Sequence, residues 1–397
     1  MVGNVTQVRG LAGAIYAPSF LMATGRGLLI PVFPLYLLTF EISFGIIGII
    51  LAAQSIGLLI ADIPTGKLLR SLGEKTCMLV GILLFTISTA ILYWIDQLIL
   101  IFIFRLVSGF GMALWGTARH TYMATSIRND RRGRSIAILG GLGRAGTFLG
   151  PVIGGILGSE YGFGTTFLVC SFFSLVSLVF VFYFVNTICD QESDSSSWNK
   201  SLFDVFSSNL RLLIIAGSGQ LFVQMVRSAR STIVPLYAGS ILGLDVQSIG
   251  FLIGLSSAID VFMSYPAGLI MDRYGRKFAY VPSFILLASG MLLIPMTSDY
   301  WTLQLVLLLM GIGNGLGAGS MMTLGADLAP SRYRGEFLGI WRFIGDGGGV
   351  CSPLIIGLIA ERFSLFGAPI LVAVLGFVGV SLLGWGVPET LKEEEKS

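Results

Sequence analysis

The chain has 397 residues, of which 54% are apolar and only 12% charged, and it carries a formal net charge of +3. Soluble globular domains carry about 25% charged residues. That deficit excludes a water-soluble globule and places the chain in a lipid bilayer. In chain order, apolar runs long enough to cross ~30 Å of hydrocarbon as helices fall near 11–38, 44–66, 76–95, 98–125, 135–158, 164–187, 212–238, 248–271, 278–297, 301–327, 337–360 and 367–387, twelve in all. The first run is too long for a secretory signal, is interrupted by Arg26 and lacks a small-residue cleavage pattern, so it reads as the first membrane helix.

Basic residues are sorted by side. Of the 25 Lys and Arg, seven lie inside the runs and Arg362 lies in the loop between the last two. All others lie at the N-terminus, in loops 2–3, 4–5, 6–7, 8–9 and 10–11, or in the C-terminal tail. The positive-inside rule then puts both termini in the cytoplasm, which requires an even number of spans and agrees with twelve. The expected setting is a prokaryotic plasma membrane, with the protein acting as a monomer.

The polar stretch Asp190–Arg211 separates a first bundle, 1–187, from a second, 212–397, with 188–211 as a cytoplasmic linker and a short surface helix expected near Leu202–Phe206. No GxxxxGK[ST] loop occurs, so direct drive by ATP is not expected. Gly141, Gly143 and Gly146 fit GxGxxG, but they lie inside an apolar run with no preceding strand, where close helix packing explains them. Cys77, Cys170, Cys189 and Cys351 show neither metal-type spacing nor a visible pairing, and read as reduced packing residues. No metal, no cofactor and no nucleic acid are expected as partners.

An internal repeat organises the whole chain. Pro64, Gly66, Gly73 and Lys75 recur 202 positions later as Pro266, Gly268, Gly275 and Lys277. The same offset relates Gly48 to Gly250, Gly109 and Gly111 to Gly311 and Gly313, Arg132 and Gly133 to Arg334 and Gly335, and Pro151 to Pro353. A shared offset without insertions means two copies of one structural unit. In so apolar a chain, duplication is the usual build of a secondary transporter.

Six helices, a linker and six more, with a basic Gly-rich loop after the second helix of each copy, resemble the major facilitator superfamily over essentially the whole chain. The resemblance implies an all-α membrane protein with twelve transmembrane helices in two pseudo-symmetric six-helix bundles, and transport rather than catalysis. The family's loop signature, G-x-x-x-D-R-x-G-R-K, is reproduced by Gly268, Asp272, Arg273, Gly275, Arg276 and Lys277. The first copy keeps Gly66 and Gly73 but has Arg70 in place of the aspartate and Glu74 in place of the following arginine. With Asp62, these residues form the expected gating loops, and Asp272 is expected to hold the helix 5 end of the opposite half when the inside is closed. Arg105, Gly109 and Gly111 resemble the family's buried-arginine motif on helix 4, and Gly146, Gly150, Pro151, Gly154 and Gly155 resemble its antiporter motif on helix 5. Gly25, Arg26, Gly27, Pro31 and Pro34 resemble helix 1 of tetracycline-type proton antiporters, except that Met22 occupies the place of their acidic residue.

Ionisable side chains inside a bilayer cost on the order of 3 kcal/mol on insertion scales and are functional candidates by default. Arg26 and Arg227 each stand eight residues before the proline of a Pro-Leu-Tyr triplet, Pro34-Leu35-Tyr36 and Pro235-Leu236-Tyr237, and so are copies of each other. This placement is similar to that in organic-phosphate antiporters of the superfamily, where the resemblance implies that two arginines clasp the anion. A guanidinium suits that task because its planar fork donates two parallel hydrogen bonds and stays charged. Arg105 and Arg230 enrich the same expected cavity, whose aromatic edge is Tyr36, Trp115 and Tyr237. The alternative is that these arginines pair with helix carbonyls or acids and only fix packing. Arg144, Asp260 and Asp346 lie at the expected seam between halves, where the resemblance, which sets helix 5 against helix 8, implies a pairing of Arg144 with Asp260 rather than with Asp346. Either the pair is structural or a carboxylate accepts a coupling proton. Arg119 and Arg342 lie near helix ends where they can snorkel to headgroups, and His120, the only histidine, reads as interfacial.

The best reading is a secondary transporter working by alternating access on a small-molecule substrate bearing a carboxylate or phosphate, with protons or a counter-anion as coupling species. Two others stay open. One is proton-coupled multidrug efflux, and the other is a membrane sensor or enzyme that does not transport.

Overall fold

The structure is a computed structural model that describes residues 11–127, 129–186, 210–330 and 334–391. Every regular element among the described residues is helical. α1 is Ala12–Leu38 and opens with a π-helical turn over Ala12–Tyr16. The stretch Phe44–Ile91 is divided at Gly73 into α2 and α3. There follow α4 (Leu98–Ser126), α5 (Asn129–Glu160), α6 (Phe163–Phe184), α7 (Leu210–Ser240), α8 (Val246–Arg273), α9 (Arg276–Leu293), α10 (Tyr300–Leu316 and Ser320–Leu328), α11 (Arg334–Arg362) and α12 (Gly367–Gly386).

These are the twelve expected helices, some longer and some shorter than the apolar runs. The second run was expected to stop at 66, yet α2 continues past Pro64 to the break at Gly73. α7 starts at Leu210, two residues inside the expected linker. The helix expected near Leu202–Phe206 and the cysteine at 189 lie outside the described residues. Eleven helices are long and apolar enough to cross a membrane by composition. The exception is α5, which begins with the polar sequence Asn129–Arg134 and carries Arg144 in its middle.

The repeat is visible in the backbone. Gly73 has φ 78° and ψ 165°, and its counterpart Gly275 has φ 118° and ψ 164°. Both dihedral pairs lie where only glycine is unstrained, so each copy makes its turn after the second helix on a residue with no Cβ.

The described chain divides into two compact units. One comprises 1–190 with 235–257, and the other 191–234 with 258–397. Within the first, α1 packs on α5 and α6, while α2 and α3 pack on α4. The α2–α4 contact is set by two glycines. A Cβ on Gly57 would lie 2.0 Å from the Leu106 carbonyl oxygen, and one on Gly109 would lie 2.0 Å from the Gln54 carbonyl oxygen. Small residues allow this approach, and it brings Gln54 of α2 over Arg105 of α4. Within the second unit, α9 packs on α10 and α12. Asp299 starts α10 with a capping box, accepting from the Thr302 backbone N–H at 2.8 Å and from its Oγ1 at 2.9 Å. Those two bonds, the backbone one first, hold its carboxyl below the usual carboxylate range.

Candidate functional site

Of the four membrane arginines in the first unit, Arg26 and Arg105 belong together. Arg26 sits in the middle of α1 and is exposed, so it is not part of a packed core. Arg105 is within its electrostatic reach, and both act on the thiol of Cys170 on α6. Arg105 is only 7% exposed. Its Nη2 donates to Gln54 Oε1 at 2.5 Å, and its guanidinium lies 4.3 Å from the centre of the Phe33 ring. Its Nε and Nη1 are buried without a hydrogen-bond partner. Among the described residues, no carboxylate pairs with Arg26 or Arg105.

The second unit holds its arginines against acceptors. Arg227 on α7 donates from Nη2 to the Gly317 carbonyl at 2.8 Å and lies 5.2 Å from the Phe284 ring. Gly317 lies in the break between the two pieces of α10, where an interrupted helix leaves carbonyls free for side chains. Arg230, one turn further along α7, is within electrostatic reach of Asp260 on α8. Asp260 accepts from Asn314 Nδ2 at 2.6 Å. The sequence shows no acid in the middle of helices 1, 4, 7 or 10, but α8 supplies one to Arg230.

The other expected residues are placed as follows. Tyr36 is half-buried, donates to the Ile95 carbonyl at 3.1 Å and packs edge-on against Phe40 and Phe167. Tyr237 and Trp115 are buried, so the aromatic edge expected from them is packed in this conformation. Asp346 pairs with Arg342 on its own helix at 3.4 Å. Arg144 lies mid-α5, where its carbonyl accepts from Thr147. Arg119 reaches Ser19 at 3.3 Å and His120 at 3.2 Å.

The two gating loops differ in charge but share a contact. In the second copy Arg276 pairs with Asp327 at 3.2 Å and with Asp272 at 3.6 Å, and the Asp272 side chain is 83% exposed. In the first copy Glu74 accepts from Thr125 Oγ1 at 3.3 Å. Arg70 is exposed, Asp62 is half-buried, and Gly66 and Gly268 both face open space. Arg273 lies 5.5 Å from the Tyr274 ring. Beside the loop, Glu389 accepts backbone bonds from Arg276 at 2.9 Å and Lys277 at 3.0 Å, capping the start of α9.

Sequence reasoning missed Gln54, Asn314, Glu389 and the Gly317 carbonyl. The first two carry a signal, since each is an amide inside an apolar run, where an uncharged polar group needs a partner. The family model of the Major Facilitator Superfamily matches residues 17–218 and 216–397. The chain belongs to the Major Facilitator Superfamily. It is therefore a membrane transporter of that superfamily and not an enzyme. An uncharacterized MFS-type transporter of Methanocaldococcus jannaschii is 22% identical over 350 residues, covering 87% of this chain and 90% of the relative. The class B tetracycline resistance protein of Escherichia coli is 26% identical over 352 residues, covering 86% of each. The fold is that of the nucleoside transporter NupG, whose crystal structure superposes with a TM-score of 0.77 at 14% identity, covering 93% of this chain and 98% of that one.

Proposed function

We propose that this transporter moves a small solute bearing a carboxylate or phosphate by alternating access, in a plasma membrane with both termini in the cytoplasm. The moving bodies are the halves 1–187 and 212–397, joined by the linker 188–211. One observation carries the anion reading: the buried Arg105 lies on Phe33 of the helix that carries Arg26, and among the described residues no carboxylate pairs with either. Arg26 and Arg227 are each proposed to offer a guanidinium to the substrate. Asp260, bonded to Asn314 and near Arg230, is the first candidate for a coupling proton.

The test is uptake into proteoliposomes by Arg26→Lys and Arg227→Lys variants. Lysine keeps the charge but loses the two-pronged donor, and a charge-assisted hydrogen bond contributes about 1.5–3 kcal/mol, or roughly ten- to a hundred-fold in affinity. Each single variant is expected to lose anion affinity in that range, and the double variant to be inactive. Normal transport by both singles defeats the anion reading. A second reading, drug efflux, is favoured by the tetracycline resistance relative. It expects the opposite result, because a hydrophobic or cationic drug gains nothing from a guanidinium.

A further inference from the structure

Among the described residues, Arg26 and Arg105 of the first unit meet only neutral groups. Arg105 is anchored by the Gln54 amide and the Phe33 ring, which orient a guanidinium without cancelling its charge. Its remaining nitrogens, Nε and Nη1, are buried and unpartnered. Phe33, on which Arg105 lies, stands two turns after Arg26 on α1, and Arg26 is exposed. Cys170, packed against Gly25 next to Arg26, is a fully buried free thiol and contributes no fixed negative charge. Arg105 is the buried charge, and a buried charge persists where a counter-charge satisfies it, whereas Arg26 is exposed beside it. A monoanion leaves one of these two guanidiniums uncancelled, and a dianion cancels both.

We infer that the first unit contains a seat for a doubly charged oxyanion, a phosphate or a dicarboxylate, in which Arg26 makes the direct contact and Arg105 supplies the second charge behind it. This rests on the anion reading given above and adds the charge class to it. Arg105 acts as a positioning and selectivity residue. Its contribution is a preference between ligands and is distinct from affinity in general.

The experiment compares ligands that differ by one charge, using the full-length transporter in nanodiscs and titration calorimetry near pH 8. The probe pairs are succinate with butyrate and inorganic phosphate with dimethyl phosphate, so the two arms separate a dicarboxylate seat from a phosphate seat. In at least one pair the dianion is expected to bind roughly tenfold tighter or better. Arg105→Gln should erase that preference and Arg105→Lys should restore it. A merely structural Arg105 would move both members of a pair equally. Gln54→Glu provides a second route should Arg105→Gln fail to fold, because it keeps the side-chain shape and places a carboxylate against Arg105. It should turn the preference toward the monoanion. Dianion preference that survives in the folded Arg105→Gln or in Gln54→Glu overturns this inference and leaves the anion reading intact. Wild-type protein that binds none of the four probes overturns both.

Discussion

The two copies of the repeat carry an arginine at the matching place on α1 and α7, and they treat its charge in opposite ways. Around Arg227 and Arg230 the second copy gathers the Gly317 carbonyl, Asp260 and Asn314. Around Arg26 the first copy adds another arginine, Arg105, supported by Gln54. At the repeat offset, Arg105 corresponds to Leu307 and Gln54 to Ser256, both buried, so this cluster belongs to one copy alone. The second unit is electrostatically supplied from within, and the first is short of negative charge. The gating loops show the same divergence. Glu74 and Thr125 occupy the positions of Arg276 and Asp327, so the contact recurs while its polarity is reversed. Duplication fixed where groups meet, and later substitutions chose their sign.

The comparison is broken most completely by giving the first unit an acid of its own. Met22 is buried one turn before Arg26 on α1, so Met22→Asp would place a carboxylate beside that guanidinium. Anion affinity is expected to fall by on the order of a hundred-fold or more, because an internal partner competes with the ligand for a charge-assisted bond. Equilibrium binding of the anion measures it. The reciprocal change, Asp260→Asn, removes the acid from the second unit. It is expected to abolish uptake driven by a pH gradient while sparing counterflow exchange, as assayed in proteoliposomes. Gradient-driven uptake that persists in both Asp260→Asn and Asp346→Asn would make the protein an exchanger or uniporter.

The helices, their order and the repeat were legible in the sequence because span length and glycine punctuation are local properties. Gly73 and Gly275 are readable as turn positions, and both adopt positive φ. The seats of the arginines were legible too, since a charge inside an apolar run stands out. What each arginine touches was not. The Gln54–Arg105 bond depends on Gly57 and Gly109 letting α2 and α4 approach, and nothing in either run names its neighbour. The partner of Arg227 is a backbone carbonyl freed by a helix break, which side-chain patterns cannot show, although the glycine-rich stretch 311–319 hints at it.

Smaller effects sharpen the contrast. Gly109→Ala would drive a Cβ into the Gln54 carbonyl, and should destabilise by about 1–3 kcal/mol as other overpacked cores do. Gly116→Ala, on the same helix with nothing within 4 Å, should be neutral or slightly stabilising. Thermal unfolding in detergent separates the two.

The least effect is expected at Glu389. Burial raises its carboxyl, but backbone bonds from Leu391, Lys277, Arg276 and Thr390 outweigh that and hold it below its ordinary 4.5. A depressed carboxylate contributes stability that is present above the unfolded value and lost as pH falls through the lower folded one. Glu389→Gln should therefore lower the melting temperature slightly at neutral pH, and the difference from wild type should shrink as pH falls from 4.5 through the lower folded value.

The most direct test of the central contrast is where a heavy oxyanion settles. The transporter can be crystallised or imaged with tungstate, a dianionic phosphate mimic whose scattering marks its position. The expected result is one strong peak against Arg26, on the side of Arg105 and Cys170, and none beside Arg230. A peak at Arg230 and Asp260 with Arg26 empty would contradict it.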